Sequence, residues 1–337
     1  MTPDLLGGSA AKCVPEPTFD DVVRLVADDL REVELLLHRE IRSSIPEVQR
    51  VLEQVRLYRG KRLRPMLLLL SARLFGVVRP EHHLLAVVLE MIHTATLIHD
   101  DILDGAHLRR HQPTLHVSWG VPAAVLAGDY LFSHAFTLAS QTGSTLACQL
   151  IGQVTNRVCE GEMHQSLCQN RFELSEEEYF TIIRAKTAEL TSLACRLGAL
   201  FSQAPPQQVE ALAEYGLHLG LAFQISDDLL DFIGDEKRAG KSLGTDWTLA
   251  KLTLPVIYWR DQLTPQQRQY YIQAWRHHQL PLAELRCLLE QCGALSAARQ
   301  RAAQHVQYAE QALSYVPLIP ERFALQALAQ FTIRREL

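Results

Sequence analysis

From Phe19 onward, apolar residues recur at helical spacing in segments rich in Leu, Ala, Glu, Gln and Arg, and the alternation of a half-buried strand is nearly absent. The pattern predicts an all-α chain of ten or more helices. Their ends are expected at Pro46, Pro80, Gln112-Pro113, Gly120-Val121-Pro122, Pro205-Pro206, Gly234, Gly240, Gly244, Pro265, Pro281 and Pro317/Pro320. Residues 84–98 and 123–139 are apolar nearly all round, which predicts places at the centre of a bundle. Neither these nor residues 66–70 reach about 20 apolar residues, and Glu90 and His93 interrupt the first, so no membrane span is expected.

The 337 residues contain no evident linker and no repeat of 20–50 residues. One domain over residues 18–337 is the simplest division, after a tail at 1–17 that reads as mobile and lacks the basic start and apolar run of a secretory signal. With 47% hydrophobic residues the chain can bury a sizeable core. Its net charge of -5 and its scattered basic residues argue against a nucleic-acid partner. Seven cysteines without a CxxC pair suggest neither a disulfide framework nor a zinc site, and fit a reducing, cytoplasmic setting.

The candidate chemistry lies in one short pattern, Asp-Asp-x-x-Asp, which occurs twice, in the middle of two predicted helices. The first copy is Asp100, Asp101 and Asp104; the i, i+4 relation stacks Asp100 and Asp104 on one face, with Asp101 about 100° round. Three carboxylates on one turn repel each other after an apolar stretch, and a cation is needed to hold them. Magnesium is the best match, being hard, oxygen-seeking and inclined to share a substrate phosphate. One copy alone is equally explained by a solvated acidic helix end. The second copy, Asp227, Asp228 and Asp231, again continues an apolar helix, and the repetition favours a diphosphate-binding metal site. Basic residues flank both: Lys61, Arg62 and Arg64 before the first, Arg109 and Arg110 after it, Lys241 and Lys251 after the second.

These segments, read as GKRLRP, IHTATLIHDDILD, LRR, VLAGDYLF, EGE, AKTAEL, FQISDDLLD, GKSLGTD and KLTLP, resemble in order and spacing the trans-type isoprenyl diphosphate synthases, particularly the long-chain polyprenyl diphosphate synthases. The resemblance runs from about residue 60 to 258 and more weakly beyond. It implies a single large helical bundle of the isoprenoid synthase type around a central apolar cavity. It also implies sequential condensation of isopentenyl diphosphate with an allylic diphosphate (dimethylallyl, geranyl, farnesyl or geranylgeranyl), in which ionisation comes first.

Position by position, the resemblance implies that the six aspartates hold three magnesium ions. Arg109, Lys186 and Lys241 are implied to contact the allylic diphosphate, with Lys251 also assigned to substrate. Lys61, Arg64, His93 and Arg110 would bind isopentenyl diphosphate, and Thr187 and Gln224 would face the developing carbocation. Ala95 and Thr96 just before the first motif would set product length, with Met91, Phe132 or Phe136 as deeper barriers that core packing explains equally well. A small Ala95 predicts a long-chain product. Arg334 and Arg335 are candidates to cap the site. The sequence departs from the family pattern at His111 and Ala250, where glycine is usual, and at Gly105 and Ala106. His134 and His164 receive no role.

A homodimer is expected, because related synthases pair through central helices and residues 123–139 are too apolar to face water. Three rivals stand beside this reading. A short-chain farnesyl or geranylgeranyl synthase is the first. A terpene cyclase is the second, opposed by the intact DDLLD. The third is a non-catalytic regulatory subunit, opposed by the complete set of aspartates and basic residues.

Overall fold

The computed structural model describes residues 18–234, 243–277 and 279–334. Lys241, Arg335 and the tail at 1–17 lie outside these residues. The described chain is built of helices: α1 Phe19–Leu25, α2 Ala27–Glu40, α3 Pro46–Val55, α4 Leu63–Arg73, α5 Pro80–Leu103, α6 Leu115–Trp119, α7 Val121–Ser140, α8 Thr145–Leu167, α9 Glu176–Ile183, α10 Glu189–Phe201 and α11 Pro206–Ile233. Then follow α12 Thr245–Thr248, α13 Leu254–Arg260, α14 Pro265–Arg276, α15 Leu282–Gln291, α16 Ala294–Ala312 and α17 Pro320–Ile333. The all-α expectation holds.

The expected breakers are mostly helix starts. Pro46, Pro80, Pro122, Pro206, Pro265 and Pro320 occupy the first turns of their helices, where the missing N–H is no loss. Thr18, Ser175 and Thr264 each complete a reciprocal capping box with the residue three further on.

α5 is buried along most of its length, as its apolar run predicts. α11 has 28 residues, about 42 Å at 1.5 Å each, and joins two apolar cores. Leu212, Tyr215 and Leu219 belong to the core around α4, α5 and α10. Leu221, Ile225 and Phe232 belong to a second core with Trp247, Trp259 and Trp275.

Two expectations are corrected. Residues 123–139 fall in α7, which is not central in the single chain: Ala124, Leu131 and Ala135 are buried, but Leu126 is 66% exposed and Val125 and Phe136 are also exposed. An all-round apolar sequence cannot distinguish a central helix from one with an uncovered outer face. The aspartate motifs are also not mid-helical. Asp104 is the C-cap of α5, and Asp231 sits in the last turn of α11.

Between α5 and α6 the chain forms a two-stranded hairpin, Leu108–Arg109 against Gln112–Pro113. Its two-residue turn, Arg110-His111, takes φ of 51° and 64°, the left-handed pair that a tight hairpin requires. Ala250 has φ 53°. The usual glycines at 111 and 250 therefore have a conformational reason, and this chain carries side chains where that backbone disfavours them. His111→Gly is expected to stabilise the protein by about 0.5 kcal/mol, the relief of left-handed strain less the entropy glycine adds to the unfolded chain. Thermal melting checks this; a lower melting temperature would mean that the imidazole contributes more than the strain costs.

Candidate active site

Both aspartate clusters sit at helix C-termini, where the peptide dipoles present partial negative charge. Repulsion is thus greater than the count of carboxylates suggests, and the surrounding cations answer it. Lys251 Nζ donates to Asp104 Oδ1 at 2.6 Å. Lys186 Nζ lies 2.6 Å from Glu162 Oε1 and 3.7 Å from Asp100 Oδ2, and donates to Gln165 Oε1 at 3.0 Å. Burial works against the Lys186 charge, but Asp100 and Glu162 outweigh it and hold the ammonium above the usual lysine range.

A local irregularity carries Lys186. The helix of α9 and α10 is interrupted by a π turn, Arg184–Ala188, which contains both Lys186 and Thr187. Gly161 of α8 makes room for it: a Cβ there would stand 2.8 Å from Ala185 Cβ and from the Lys186 nitrogen. The EGE motif thus contributes a close approach through Gly161 and a lysine partner through Glu162.

Asp101 and Asp231 are both held by protein donors. Asp101 is buried, its Oδ2 accepting from the Tyr58 hydroxyl at 2.9 Å and its Oδ1 from Arg109 Nε at 2.8 Å. It clamps the hairpin arginine. Asp231 is equally buried and accepts from the backbone nitrogens of Gly244 and Asp246, each at 3.0 Å, so that it fixes the loop entering α12. Burial leaves both carboxylates dependent on these donors.

The second cluster is linked to the π turn by a hydrogen-bonded chain. Thr187 Oγ1 donates to Gln224 Oε1 at 2.7 Å, Gln224 Nε2 donates to Asp228 Oδ1 at 2.8 Å, and the buried Tyr179 hydroxyl donates to Asp228 Oδ2 at 2.6 Å. Lys186, Lys251, Gln224 and Asp228 line one small cleft with Leu174, Ile182 and Leu252. Lys186 and Lys251, which reach Asp100 and Asp104, thus stand on the same cleft as Asp228.

Burial raises the carboxyls of Asp100, Glu162 and Asp228 above their ordinary range, with Lys186 opposing the shift in the first two and Asp246 adding to it in the third. Such a set of oxygen donors suits a hard cation. Among the described residues no three carboxylate, histidine or cysteine groups converge closely enough to bind an ion by themselves. An ion held here would need water or phosphate oxygens to complete its shell.

A basic cluster lies beside the first motif. His93 is held well below the usual histidine range by burial and by Arg64, Arg109, Arg110 and Arg62 around it. Burial brings Arg64 down to about 10, with Glu90 opposing, and its buried Nε has no hydrogen-bond partner. Arg110 packs against Gly60, where a Cβ would stand 2.6 Å from Nη2. Lys61 lies 5.3 Å from the centre of the Phe19 ring. The structure thus brings His93, Arg64 and Arg110 together, as an anion site requires.

Ala95 and Met91 are fully buried in α5, and Thr96 donates to the His93 carbonyl. Phe132 of α7 is half-buried, its ring 5.9 Å from that of His99. His134 pairs with Glu40 on α2, in keeping with a structural residue. Glu162, Gln165, Tyr58 and Tyr179 carried no expectation from the sequence. Only Glu162 had a local signal, in EGE.

An all-helical bundle with two aspartate clusters, lysines that reach the first of them and a separate arginine-rich pocket is an arrangement suited to diphosphate chemistry. The profile of the family described as polyprenyl synthetase matches residues 45–291. The octaprenyl diphosphate synthase of Escherichia coli (strain K12) is 33% identical over 94% of this chain and 99% of its own length. The short chain isoprenyl diphosphate synthase of Methanothermobacter thermautotrophicus is 36% identical over 92% of this chain and 99% of its own. The crystal structure of a polyprenyl synthase from Caulobacter crescentus CB15, complexed with calcium and isoprenyl diphosphate, superposes with a TM-score of 0.90 at 35% identity, covering 96% of this chain and 99% of that one. The chain belongs to the polyprenyl synthetase family, and it is a prenyltransferase.

Gly161→Ala tests the π turn. The added methyl forces Lys186 away from Asp100, and kcat is expected to fall about tenfold or more while the helical content stays unchanged. Steady-state kinetics with circular dichroism reads both; full activity would show that the turn does not position Lys186.

Proposed function

We propose that this chain extends an allylic diphosphate by successive additions of isopentenyl diphosphate and releases a long-chain trans polyprenyl diphosphate. The observation that carries the reading is the pairing of two sites: a lysine-held carboxylate cleft, and beside it the basic pocket of Arg64, His93 and Arg110. Two diphosphates of different roles need two such places.

Asp100, Asp101, Asp104, Asp227, Asp228 and Asp231 would hold magnesium, three ions in the family pattern, with Asp100 and Asp104 reached by Lys186 and Lys251. Magnesium supplies charge neutralisation to the departing diphosphate and a template for its oxygens. Arg109, Lys186 and Lys251 add cationic donors on the same side, and Lys241 is assigned there by resemblance alone. Lys61, Arg64, His93 and Arg110 hold isopentenyl diphosphate so that its double bond meets the allylic carbon as the carbon–oxygen bond breaks. Thr187 and Gln224 present oxygens to the positive carbon, and the released diphosphate takes the proton that is lost. Apolar walls keep water from the cation.

Small Ala95 supports a long product, since one helical turn of about 5.4 Å approximates one isoprene unit. Similarity to an octaprenyl diphosphate synthase supports it too, whereas the short chain relative keeps farnesyl or geranylgeranyl diphosphate as the second reading. The exposed apolar face of α7, with Leu126 and Phe136, supports a homodimer. Residues 18–337 are read as one domain because α11 contributes to both cores. Among the described residues no helix is long and apolar enough to cross a membrane. The free cysteines among them accord with a reducing, cytoplasmic setting.

Incubating the purified protein with labelled isopentenyl diphosphate and each allylic primer, then chromatographing the dephosphorylated products, tests the reading. Products longer than geranylgeranyl are expected, and Ala95→Tyr should shorten them while sparing the first addition. A wild-type product no longer than geranylgeranyl would favour the second reading. Asp100→Ala, or excess chelator with the wild type, should reduce turnover about a thousandfold. Full turnover in either case would contradict the metal assignment.

A further inference from the structure

In GKRLRP, Lys61 and Arg64 are assigned to isopentenyl diphosphate, and the arginine between them has no assigned role. Arg62 takes φ 53° and ψ 41° immediately before α4. For a residue with a Cβ, that conformation costs about 1 kcal/mol. Something must hold it.

The side chain shows what does. Arg62 Nη1 donates to Glu90 Oε1 of α5 at 2.6 Å, while Nε and Nη2 donate to Glu34 of α2. The Arg62 side chain is 11% exposed and that of Glu90 5%. With all three nitrogens directed at carboxylates, the guanidinium is committed to protein and is not a phosphate ligand. A buried ion triad of this kind is a poor source of net stability, because desolvation offsets the attraction. Its value lies in geometry, since a planar fork gripped from two helices admits one orientation.

The turn at Arg62 separates two halves of the basic pocket. On one side Gly60 packs against Arg110; on the other, Arg64 and its unpartnered Nε lie next to His93. Glu90 is also the acid whose charge reaches Arg64.

We propose that Glu34, Arg62 and Glu90 form a lock that fixes the left-handed turn and so positions Lys61 and Arg64 for the diphosphate of the homoallylic substrate. Arg62 is a positioning residue that touches no substrate. The proposal rests on the reading of Lys61 and Arg64 as isopentenyl diphosphate ligands.

The experiment compares Arg62→Lys and Glu34→Gln with Lys61→Ala and wild type, measuring KM for isopentenyl diphosphate, KM for the allylic primer, kcat and circular dichroism. Lysine keeps the charge but cannot fork between two carboxylates. KM for isopentenyl diphosphate is expected to rise about tenfold in Arg62→Lys and about threefold in Glu34→Gln, with the allylic KM within about twofold. If Arg62→Lys fails to fold, Glu34→Gln decides, because the more exposed Glu34 leaves Glu90 to balance the charge. The lock is overturned if Lys61→Ala raises KM for isopentenyl diphosphate while the folded lock variants leave it unchanged. Equal rises in both KM values, or a lower melting temperature with neither KM moved, overturn it too. If Lys61→Ala also leaves KM unchanged, the assignment of the pocket falls, and the lock with it.

Discussion

Carboxylates gathered at the C-terminal ends of two helices are the constraint on which the rest of the site depends. The dipoles of α5 and α11 add to the mutual repulsion of their aspartates, and burial removes the water that would screen it. Lys186, Lys251 and Arg109 answer this charge, and each needs an unusual piece of backbone to arrive. Lys186 comes from a π turn that Gly161 accommodates, Lys251 follows a left-handed Ala250, and Arg109 precedes a hairpin turn with two left-handed residues. At two of these places, Ala250 and the Arg110-His111 turn, side chains stand on left-handed backbone.

The six aspartates are not equivalent within that arrangement. Asp100 and Asp104 meet the ammonium groups of Lys186 and Lys251, which also line the cleft. Asp101 and Asp231 are satisfied by protein donors and hold the hairpin and the loop before α12. Asp228, buried and engaged by Gln224 and Tyr179, belongs with these two. The basic pocket follows a similar division, in which Arg64, His93 and Arg110 face one another and Arg62 is bound back to Glu34 and Glu90.

Helix content and helix starts were legible in the sequence because proline placement and apolar period are local signals. The clefted site was legible because Asp-Asp-x-x-Asp occurs twice and the flanking basic residues match a family pattern. Tyr58 and Tyr179 were not: they reach aspartates 43 and 49 residues away, and no spacing rule encodes such contacts. The donors that hold each aspartate were also hidden, since sequence marks a carboxylate but not which donors reach it. The exposed face of α7 escaped for a different reason. Its composition records burial without saying whether this chain or another surface provides it, and the single chain leaves Leu126 uncovered.

Calorimetric titration of inorganic diphosphate into the protein, with magnesium and then with excess chelator, tests most directly whether the two helix ends form one metal-dependent anion site. The account predicts that magnesium strengthens diphosphate binding by at least about tenfold, that diphosphate strengthens magnesium binding by the same factor, and that Asp100→Ala removes the coupling. Diphosphate binding of equal affinity in chelator would contradict it.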